Sequence, residues 1–257
     1  MGRRFKRLPV PEPSPILAEI MQVRGASALV TGAGRGIGRA VALALGRAGA
    51  SVTLVARTAS EIESVARDVR AGGARALAFP GDLTEAAVCT RAVEAAVAAH
   101  GGLQILVNNA GVGGFANLVE TTDEAWDRIL GTNLTAVFRL TRAALPHLTR
   151  QGGHVFMISS LAGTNPIAGM AAYCASKAAL DHLAACLMLE VRQQGVKVTT
   201  IAPGSVDTGF GGAPRADTSW MLTPEDLARA VLDLLEARDG AHLSRVEMRP
   251  ARPQKRV

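Results

Sequence analysis

The feature that most constrains the fold of this chain is a regular alternation of apolar runs with Ala-rich stretches of helical character. Seven runs resemble strands, near residues 26–31, 51–56, 74–79, 103–107, 153–159, 197–202 and 244–248. Six helices are predicted between them, at about 36–48, 59–71, 84–100, 123–150, 171–194 and 224–237. The runs are apolar without clean alternation, which indicates parallel strands covered on both faces. We therefore expect an α/β fold, a doubly wound sheet of about seven parallel strands with helices on both faces.

The chain divides into a body and two short ends. A basic, Pro-rich arm covers residues 1–24, a single domain covers 25–249 without a linker, and a basic tail covers 250–257. Of the formal charge of +6, residues 1–7 carry +4 and residues 245–257 carry a net +4, which leaves −2 for the body between them. Because the basicity belongs to the ends, we expect no nucleic-acid partner.

Membrane and metal sites are not expected either. The N-terminal arginines are followed by prolines rather than by an apolar segment, and the uncharged stretches 95–119 and 151–176 are interrupted by Gly, Asn, Ser or Pro. Neither stretch reads as a membrane span. The three cysteines have no metal-like spacing, and their odd number indicates reduced thiols in the cytoplasm.

In a doubly wound sheet, ligands bind at the carboxyl ends of the strands, so the residues that follow each strand predict the site. The first strand ends in a glycine-rich turn, Thr31 to Gly38 (TGAGRGIG), that runs into a helix. Glycines permit a tight turn and close approach of the backbone to a pyrophosphate, while the helix N-terminus attracts negative charge. The placement favours a Rossmann-type dinucleotide site over a merely structural turn. Its predicted contacts are Gly32, Gly34, Arg35, Gly36, Ile37 and Gly38.

The end of the second strand bears on the choice of cofactor. A carboxylate about 20 residues after the glycines would favour NAD, because it accepts hydrogen bonds from the ribose. This chain has Ala56 followed by Arg57. Arg57 and Arg35 are each compatible with a solvated surface position, but together they favour the 2′-phosphate of NADP(H).

The next two strand ends leave alternatives open. Asp82 either caps the following helix or, with Leu83, meets an adenine. After the fourth strand, the stretch Asn108-Asn109-Ala110-Gly111 either ties loops together or, through Asn109, Ala110 and Gly111, contacts the cofactor.

Tyr173 and Lys177 are four residues apart near the start of the predicted helix 171–194. They share one helix face, so the ammonium can favour the ionised phenol. Tyr-x-x-x-Lys also occurs on solvated helices, and the pair alone does not identify an active site.

These pieces together resemble the short-chain dehydrogenase/reductase family, and within it the 3-oxoacyl-reductase-like members. The matching residues are TGAGRGIG at 31–38, Asp82, NNAG at 108–111, Asn133, Ser160, Tyr173 with Lys177, and Pro203-Gly204 with Thr208. The resemblance covers about residues 25–249 and implies hydride transfer between a nicotinamide cofactor and a carbonyl or alcohol.

The resemblance also implies roles for individual residues. Tyr173 would be the general acid or base, with Lys177 lowering its pKa together with an oxidised nicotinamide, and Ser160 would polarise the carbonyl. Asn133, otherwise an ordinary helical asparagine, would hold a water next to Lys177. Ser160 rather than Ser159 is chosen because it lies 13 residues before Tyr173. The nicotinamide-side loop would contact the cofactor through Pro203, Gly204, Val206 and Thr208.

The substrate is expected to be a hydrophobic ketone or the corresponding secondary alcohol, and a 3-oxoacyl thioester is one such substrate. The predicted walls of the pocket are apolar, with Arg215 as the one obvious charge: Gly113, Gly114, Phe115, Ala162, Ile167, Met170, Phe210, Trp220 and Met221. The alternative is a non-catalytic NADP(H)-binding regulator or scaffold of the same fold.

We also expect a homo-oligomer. The last strand lacks the family's usual Gly-rich ending, which argues against a tetramer and leaves a dimer as the default. The subunit contact is predicted along Leu180, Leu183, Leu187 and Val191.

Overall fold

A computed structural model describes residues 23–210, 217–237 and 240–252. It contains one seven-stranded sheet, and every pair of neighbouring strands is parallel. The strand order is β3-β2-β1-β4-β5-β6-β7. The strands are β1 (Ser27–Thr31), β2 (Ser51–Ala56), β3 (Ala76–Pro80), β4 (Ile105–Asn108), β5 (Gly153–Ile158), β6 (Val196–Pro203) and β7 (Arg245–Met248). The predicted doubly wound parallel sheet is confirmed, with all seven strands within about two residues of their expected bounds.

Helices connect consecutive strands, as the alternation predicts. They are α1 (Gly36–Arg47), α2 (Ala59–Ala71), α3 (Ala86–His100), α4 (Asp123–Leu130), α5 (Ala136–Gln151), α6 (Ala171–Val191) and α7 (Pro224–Leu235). The start of α7 is as expected from its sequence: Thr223 caps the helix in a capping box with Asp226, and proline occupies the first helical position.

Two apolar cores lie on the two faces of the sheet, and successive strand residues alternate between them. In β1, Ala28 and Val30 face the core beneath α1, α2 and α7, whereas Leu29 faces the core beneath α3, α5 and α6. This alternation follows from the two-residue period of a strand. It also explains the continuous apolar runs, because both faces of each central strand are covered.

The predicted helix 123–150 has an irregular centre. Residues Gly131–Thr135 form one π-helical turn between α4 and α5, and this turn contains Asn133. A π-bulge adds a residue to the helical repeat and rotates the side chains that follow it, and such bulges are frequent at functional sites.

One of the two alternatives for Asp82 is excluded. It does not cap α3, because the N-cap residue is Glu85. The carboxylate of Asp82 instead accepts hydrogen bonds from the backbone and hydroxyl of Thr84, which places it in a turn before the helix.

The predicted subunit contact along α6 is wrong for three of its four residues. Leu180, Leu187 and Val191 are buried in the chain's own core beneath α6. The helix is Ala- and Leu-rich on all sides, so its sequence does not show which face packs inward.

Three predicted segments fall outside the described residues. They are most of the basic arm, the end of the basic tail, and residues 211–216, which include Arg215. In the described part of the chain, no helix has the length and apolar character needed to cross a membrane, and no cluster of three or more His, Cys, Asp or Glu side chains could hold a metal ion.

Candidate active site

The glycine-rich turn follows β1 at the carboxyl edge of the sheet. Gly32 and Gly36 have φ of +62° and +53°, values that residues with a Cβ rarely adopt. A Cβ on Gly38 would lie 2.2 Å from the Gly32 carbonyl oxygen and 2.5 Å from Nδ2 of Asn109. The turn therefore packs its own backbone closely and directs the N-terminus of α1 at the edge of the sheet, which is the cradle that a pyrophosphate requires.

Thr31, the last residue of β1, ties this turn to the loop after β4. Its hydroxyl donates to the Val107 carbonyl and accepts from the backbone N–H groups of Asn109 and Ala110, at 2.9 and 3.0 Å. The Asn109 side chain donates to the carbonyls of Thr31 and Gly32. Asn109 thus has the loop-tying role that its sequence position allowed, and it holds Ala110 and Gly111 beside the turn.

The two arginines of the cofactor prediction are both exposed at the same edge. Arg35 is the N-cap residue of α1, and Arg57 directly follows β2. Arg57 lies near enough to Asp82 for its charge to help lower the pKa of that carboxyl, although the backbone N–H of Thr84 is the larger cause. The structure therefore brings Arg57 and Asp82 together beside the glycine turn.

The loop after β6 approaches the glycine turn from the other side. A Cβ on Gly36 would lie 3.2 Å from the Thr208 side chain, so these two residues are in contact range. The start of the loop is fixed by backbone pairing, because Gly204 donates to the Met248 carbonyl and Val206 forms a bridge with Leu222. Pro203, Gly204, Val206 and Thr208 thus lie at the edge that the sequence predicts for them.

Ser160, Tyr173 and Lys177 converge beyond the end of β5. The hydroxyl of Ser160 lies close enough to the phenol of Tyr173 to favour its ionised form, and Nζ of Lys177 lies 5.8 Å from the centre of the Tyr173 ring. Ser159 is buried, and its hydroxyl has no hydrogen-bonding partner within the described residues. The choice of Ser160 over Ser159 as the partner of Tyr173 agrees with this geometry.

Burial governs the proton affinities of this pair. It raises the pKa of Tyr173, and the nearby hydroxyl of Ser160 partly opposes that rise. Burial lowers the pKa of Lys177 to about 8, while the nearby carboxylate of Asp181 opposes the change. In the chain alone, the pKa of Tyr173 thus moves opposite to the predicted direction. The predicted lowering of the Tyr173 pKa depends on two charges, that of Lys177 and that of an oxidised nicotinamide. The second charge would come from the cofactor and not from the chain.

Lys177 has a fixed position in spite of its long side chain. It is 4 % exposed, and its ammonium donates a 2.8 Å hydrogen bond to the carbonyl of Ile158 at the end of β5. The ammonium also faces the loop after β4, since a Cβ on Gly111 would lie 3.7 Å from Nζ. The lysine therefore lies between the catalytic tyrosine predicted from the sequence and the predicted cofactor loop.

Asn133 is fully buried and uses both ends of its amide. Its Oδ1 accepts from the backbone N–H of Val112 at 2.8 Å, and its Nδ2 donates to the Val112 carbonyl and to Oγ of Ser176. The hydroxyl of Ser176 in turn donates to the carbonyl of Tyr173 at 2.7 Å. The π-helical turn thus directs Asn133 between the loop after β4 and the first turn of α6, and it is not an ordinary helical asparagine.

Three exposed apolar side chains lie on the loops that follow β4, β5 and β6, and one of them, Phe210, lies beside Tyr173. We use "rim" for Phe115, Ile167 and Phe210, which are 69 %, 44 % and 47 % exposed. The rings of Phe210 and Tyr173 are 5.7 Å apart between centres, and a Cβ on Gly113 would lie 2.9 Å from Phe210. The backbone of Ala116 donates to the carbonyl of Gly169, which joins the two loops that carry Phe115 and Ile167.

The sequence pattern does not single out two residues that organise the site. Thr31 stands in it only as part of the glycine motif, and Ser176 only as a residue between Tyr173 and Lys177. Both are small hydroxyl residues. Thr31 joins the end of β1 to the loop after β4 through three hydrogen bonds. Ser176 joins Asn133 to the backbone of Tyr173 through two. A signal for Ser176 exists in the sequence, because it is three residues from Tyr173 and lies one helical turn further along nearly the same face.

Residues 26–218 match the family model described as short chain dehydrogenase. Among curated proteins, the chain is 36 % identical to a sepiapterin reductase of Chlorobaculum tepidum over 213 residues, which is 79 % of this chain and 87 % of that protein. It is 38 % identical to 2-(S)-hydroxypropyl-CoM dehydrogenase 3 of Xanthobacter autotrophicus over 223 residues, 80 % of this chain and 88 % of that protein.

Solved structures agree with this likeness. A metagenomic short-chain oxidoreductase in complex with NADP is 37 % identical and superposes with a TM-score of 0.80, covering 90 % of this chain and all of the other. A short chain dehydrogenase from Burkholderia cenocepacia, also in complex with NADP, is 31 % identical with a TM-score of 0.83 and covers 89 % of this chain and 98 % of the other.

Proposed function

The chain belongs to the short-chain dehydrogenase family of oxidoreductases, and from this we propose that it is an NADP(H)-dependent enzyme that transfers a hydride between the nicotinamide and a carbonyl or secondary alcohol. The observation that carries the proposal is the convergence of Ser160, Tyr173 and Lys177 beside the predicted cofactor edge. Such a set supplies both a proton and a means of polarising a carbonyl oxygen.

In the proposed reduction, Ser160 and Tyr173 both hydrogen-bond the substrate carbonyl oxygen. Tyr173 donates its phenolic proton to that oxygen as negative charge develops there. Lys177 then stabilises the resulting phenolate, because its ammonium is buried and close to the ring. In the direction of alcohol oxidation, the same phenolate removes the hydroxyl proton.

Asn133 and Ser176 support these groups from behind. Their hydrogen bonds connect the loop after β4 to the backbone of Tyr173. The arrangement keeps the first turn of α6 in register with the cofactor loop. In the proposal, Asn133 is therefore a positioning residue whose other implied role, holding a water beside Lys177, stays a prediction.

The cofactor would be held by the residues predicted from the sequence. The glycine turn offers backbone N–H groups and the N-terminus of α1 to the pyrophosphate. Arg35 and Arg57 would pair with the 2′-phosphate, Asp82 and Leu83 would contact the adenine, and Lys177 and Thr208 would contact the nicotinamide end. When bound, the reduced nicotinamide supplies the hydride. NADP in two related structures supports this choice over NAD.

The proposed substrate is a hydrophobic ketone, with a 3-oxoacyl-type compound as one candidate. The apolar rim, which reaches Tyr173 through Phe210, supports this class, because Phe115, Ile167 and Phe210 offer contact area without charge. A carbonyl with one apolar substituent would place that substituent against the rim while its oxygen reaches Ser160 and Tyr173.

We further propose a homo-oligomer. Apolar side chains on α4, α5 and α6 are substantially exposed, namely Trp126, Phe138 and Leu189, and such residues support a subunit interface on these helices. Sedimentation of the purified chain would measure the assembly directly, and a monomer would contradict this part of the proposal.

The test of the function is a panel of ketones assayed with NADPH and NADH side by side. The panel spans small polar ketones, aryl and alkyl ketones and a 3-oxoacyl thioester, and the loss of reduced-nicotinamide absorbance measures turnover. We expect faster turnover with NADPH and with the apolar members. A protein that binds NADPH but reduces no member would contradict the proposal.

A further inference from the structure

Asp181 lies one helical turn beyond Lys177 on α6, on the same face. Its side chain is only 12 % exposed, and its Oδ2 accepts a 2.7 Å hydrogen bond from Nη1 of Arg245 on the edge strand β7. Its Oδ1 is buried and has no hydrogen-bonding partner within the described residues. Burying a carboxylate to this depth costs free energy unless positive charges compensate it. The charges of Lys177 and Arg245 therefore stabilise the ionised form of Asp181.

The carboxylate of Asp181 also touches the turn that carries Ser160. A Cβ on Gly163 would lie 2.7 Å from Oδ2 of Asp181 and 3.2 Å from the carbonyl oxygen of Lys177. Gly163 ends the short turn Leu161–Gly163, whose N-cap residue is Ser160. The turn after β5 therefore packs directly on the helix segment from Lys177 to Asp181.

We propose that Asp181 is a positioning residue for the reaction: its carboxylate keeps the Lys177 ammonium charged, and Arg245 connects this pair to the edge strand. The inference rests on the proposed role of Lys177. Asp181 lies outside the motifs that identify the family. Its contact with Arg245, 64 positions away in the chain, connects the edge strand β7 to the helix that carries Lys177.

Asp181 is the carboxylate one helical turn from Lys177 on the same face of α6, and its charge acts on the ammonium through space, since the hydrogen bond of Lys177 goes to Ile158 and the ion pair of Asp181 goes to Arg245. The turn Leu161–Gly163 and the π-helical turn Gly131–Thr135 carry no titratable side chain. Burial lowers the pKa of Lys177 to about 8, and Asp181 is the charged group that opposes this change. Other titratable side chains occur on α6 and on the elements packed against it: Tyr173, Cys174, His182, Cys186, Glu190, His154, Lys197, Arg192, Asp123, Glu124, Asp127, Arg128, Arg245 and Glu247.

The test is a direct titration of the lysine. The chain has four lysines, Lys6, Lys177, Lys197 and Lys255, so protein labelled with carbon-13 at lysine Cε gives few resonances. The resonance missing from Lys177→Gln identifies Lys177. In Asp181→Asn we expect the pKa of Lys177 to fall by about one pH unit, because the amide no longer stabilises the ammonium.

A matched control is Asp233→Asn, the same carboxylate-to-amide change in an exposed ion pair with Arg229 on α7. It should leave the Lys177 titration unchanged. Arg245→Gln should act in the opposite direction to Asp181→Asn and raise the pKa of Lys177, because the carboxylate then loses its competing cation. A purely structural role for Asp181 would not produce shifts of opposite sign.

An unchanged Lys177 titration in folded Asp181→Asn would overturn the proposal. Where that variant does not fold, Arg245→Gln decides alone, and a pKa that stays the same or falls would overturn it. The titration uses the full chain without substrate, so failure to reduce any ketone would contradict the proposed function while leaving this result intact. In an active enzyme, Asp181→Asn should also move the alkaline limb of the kcat profile for alcohol oxidation to lower pH.

Discussion

At the proposed catalytic centre, Asn133, Ser176 and Lys177 are at most 4 % exposed, and each donates at least one hydrogen bond of 3.0 Å or less. At the rim, Phe115 and Phe210 are 69 % and 47 % exposed and make mainly ring or packing contacts. Hydrogen-bonded burial fixes the geometry of the centre, whereas the rim can adapt to the shape of a ligand.

The difference assigns separate tasks to the two regions. Substitutions in the centre should act on turnover, because the proposed mechanism requires these groups to be aligned with the reacting atoms. Substitutions in the rim should act on substrate affinity, because they remove contact area that is similar in the ground and transition states. The cofactor edge lies between these extremes, with a backbone-built turn and exposed arginines.

The sharpest way to break this comparison is Tyr173→Phe. The variant keeps the ring that packs near Phe210 but lacks the phenolic proton, so kcat for an accepted ketone should fall by about a thousandfold. Stopped-flow or steady-state assays with NADPH measure the change, and binding of NADPH shows that the site is intact. Near wild-type turnover in a variant that still binds NADPH would refute the assignment of the proton donor.

A large effect is also expected from Gly38→Ala at the cofactor edge. The added methyl group would lie within 2.5 Å of both the Gly32 carbonyl and the Asn109 amide, so the turn must open. We expect kcat/KM to fall by about a hundredfold, since displacing the cofactor by an ångström misaligns the hydride.

Gly240→Ala is the matched control for Gly38→Ala, because a Cβ there meets no atom within 4 Å. It should behave like the wild type. Equal behaviour of the two variants would show that close packing of the turn does not matter for cofactor binding.

A smaller effect should follow from removing the two arginines of the cofactor edge. In Arg35→Ala combined with Arg57→Ser, the ratio of kcat/KM for NADPH over NADH should fall by about tenfold, as charge-assisted hydrogen bonds to the 2′-phosphate are lost. Arg67→Ala, an exposed arginine elsewhere on α2, is the control. An unchanged ratio would remove the arginine argument for NADP(H).

The smallest effect is expected at the rim. Phe210→Ala should raise KM for an apolar ketone by about fivefold while kcat stays within twofold. The reason is that about half of the Phe210 side chain is exposed, and this part is available to contact a ligand. The same variant should change KM for a small ketone less. A fall in kcat as large as that of Tyr173→Phe would erase the distinction between rim and centre.

Much of this molecule is determined by local sequence pattern. The order of strands and helices, the glycine turn and the one-turn spacing of Tyr173 and Lys177 follow from periodicity, glycine conformation and helix geometry. These features depend on residues near one another in the chain, and the structure reproduces them with small changes at the ends of elements.

Only the tertiary structure decides which face of an all-apolar helix is covered and which distant residues meet. Leu180, Leu187 and Val191 pack into the core and not against a second subunit, because β5 and β6 lie beneath that face of α6. Asn133 reaches Val112 and Ser176 because a π-helical turn, which helix propensity does not predict, rotates it inward. The contact of Asp181 with Arg245 depends on the sheet bringing β7 beside β6, since long-range pairing is set by packing and not by local preference.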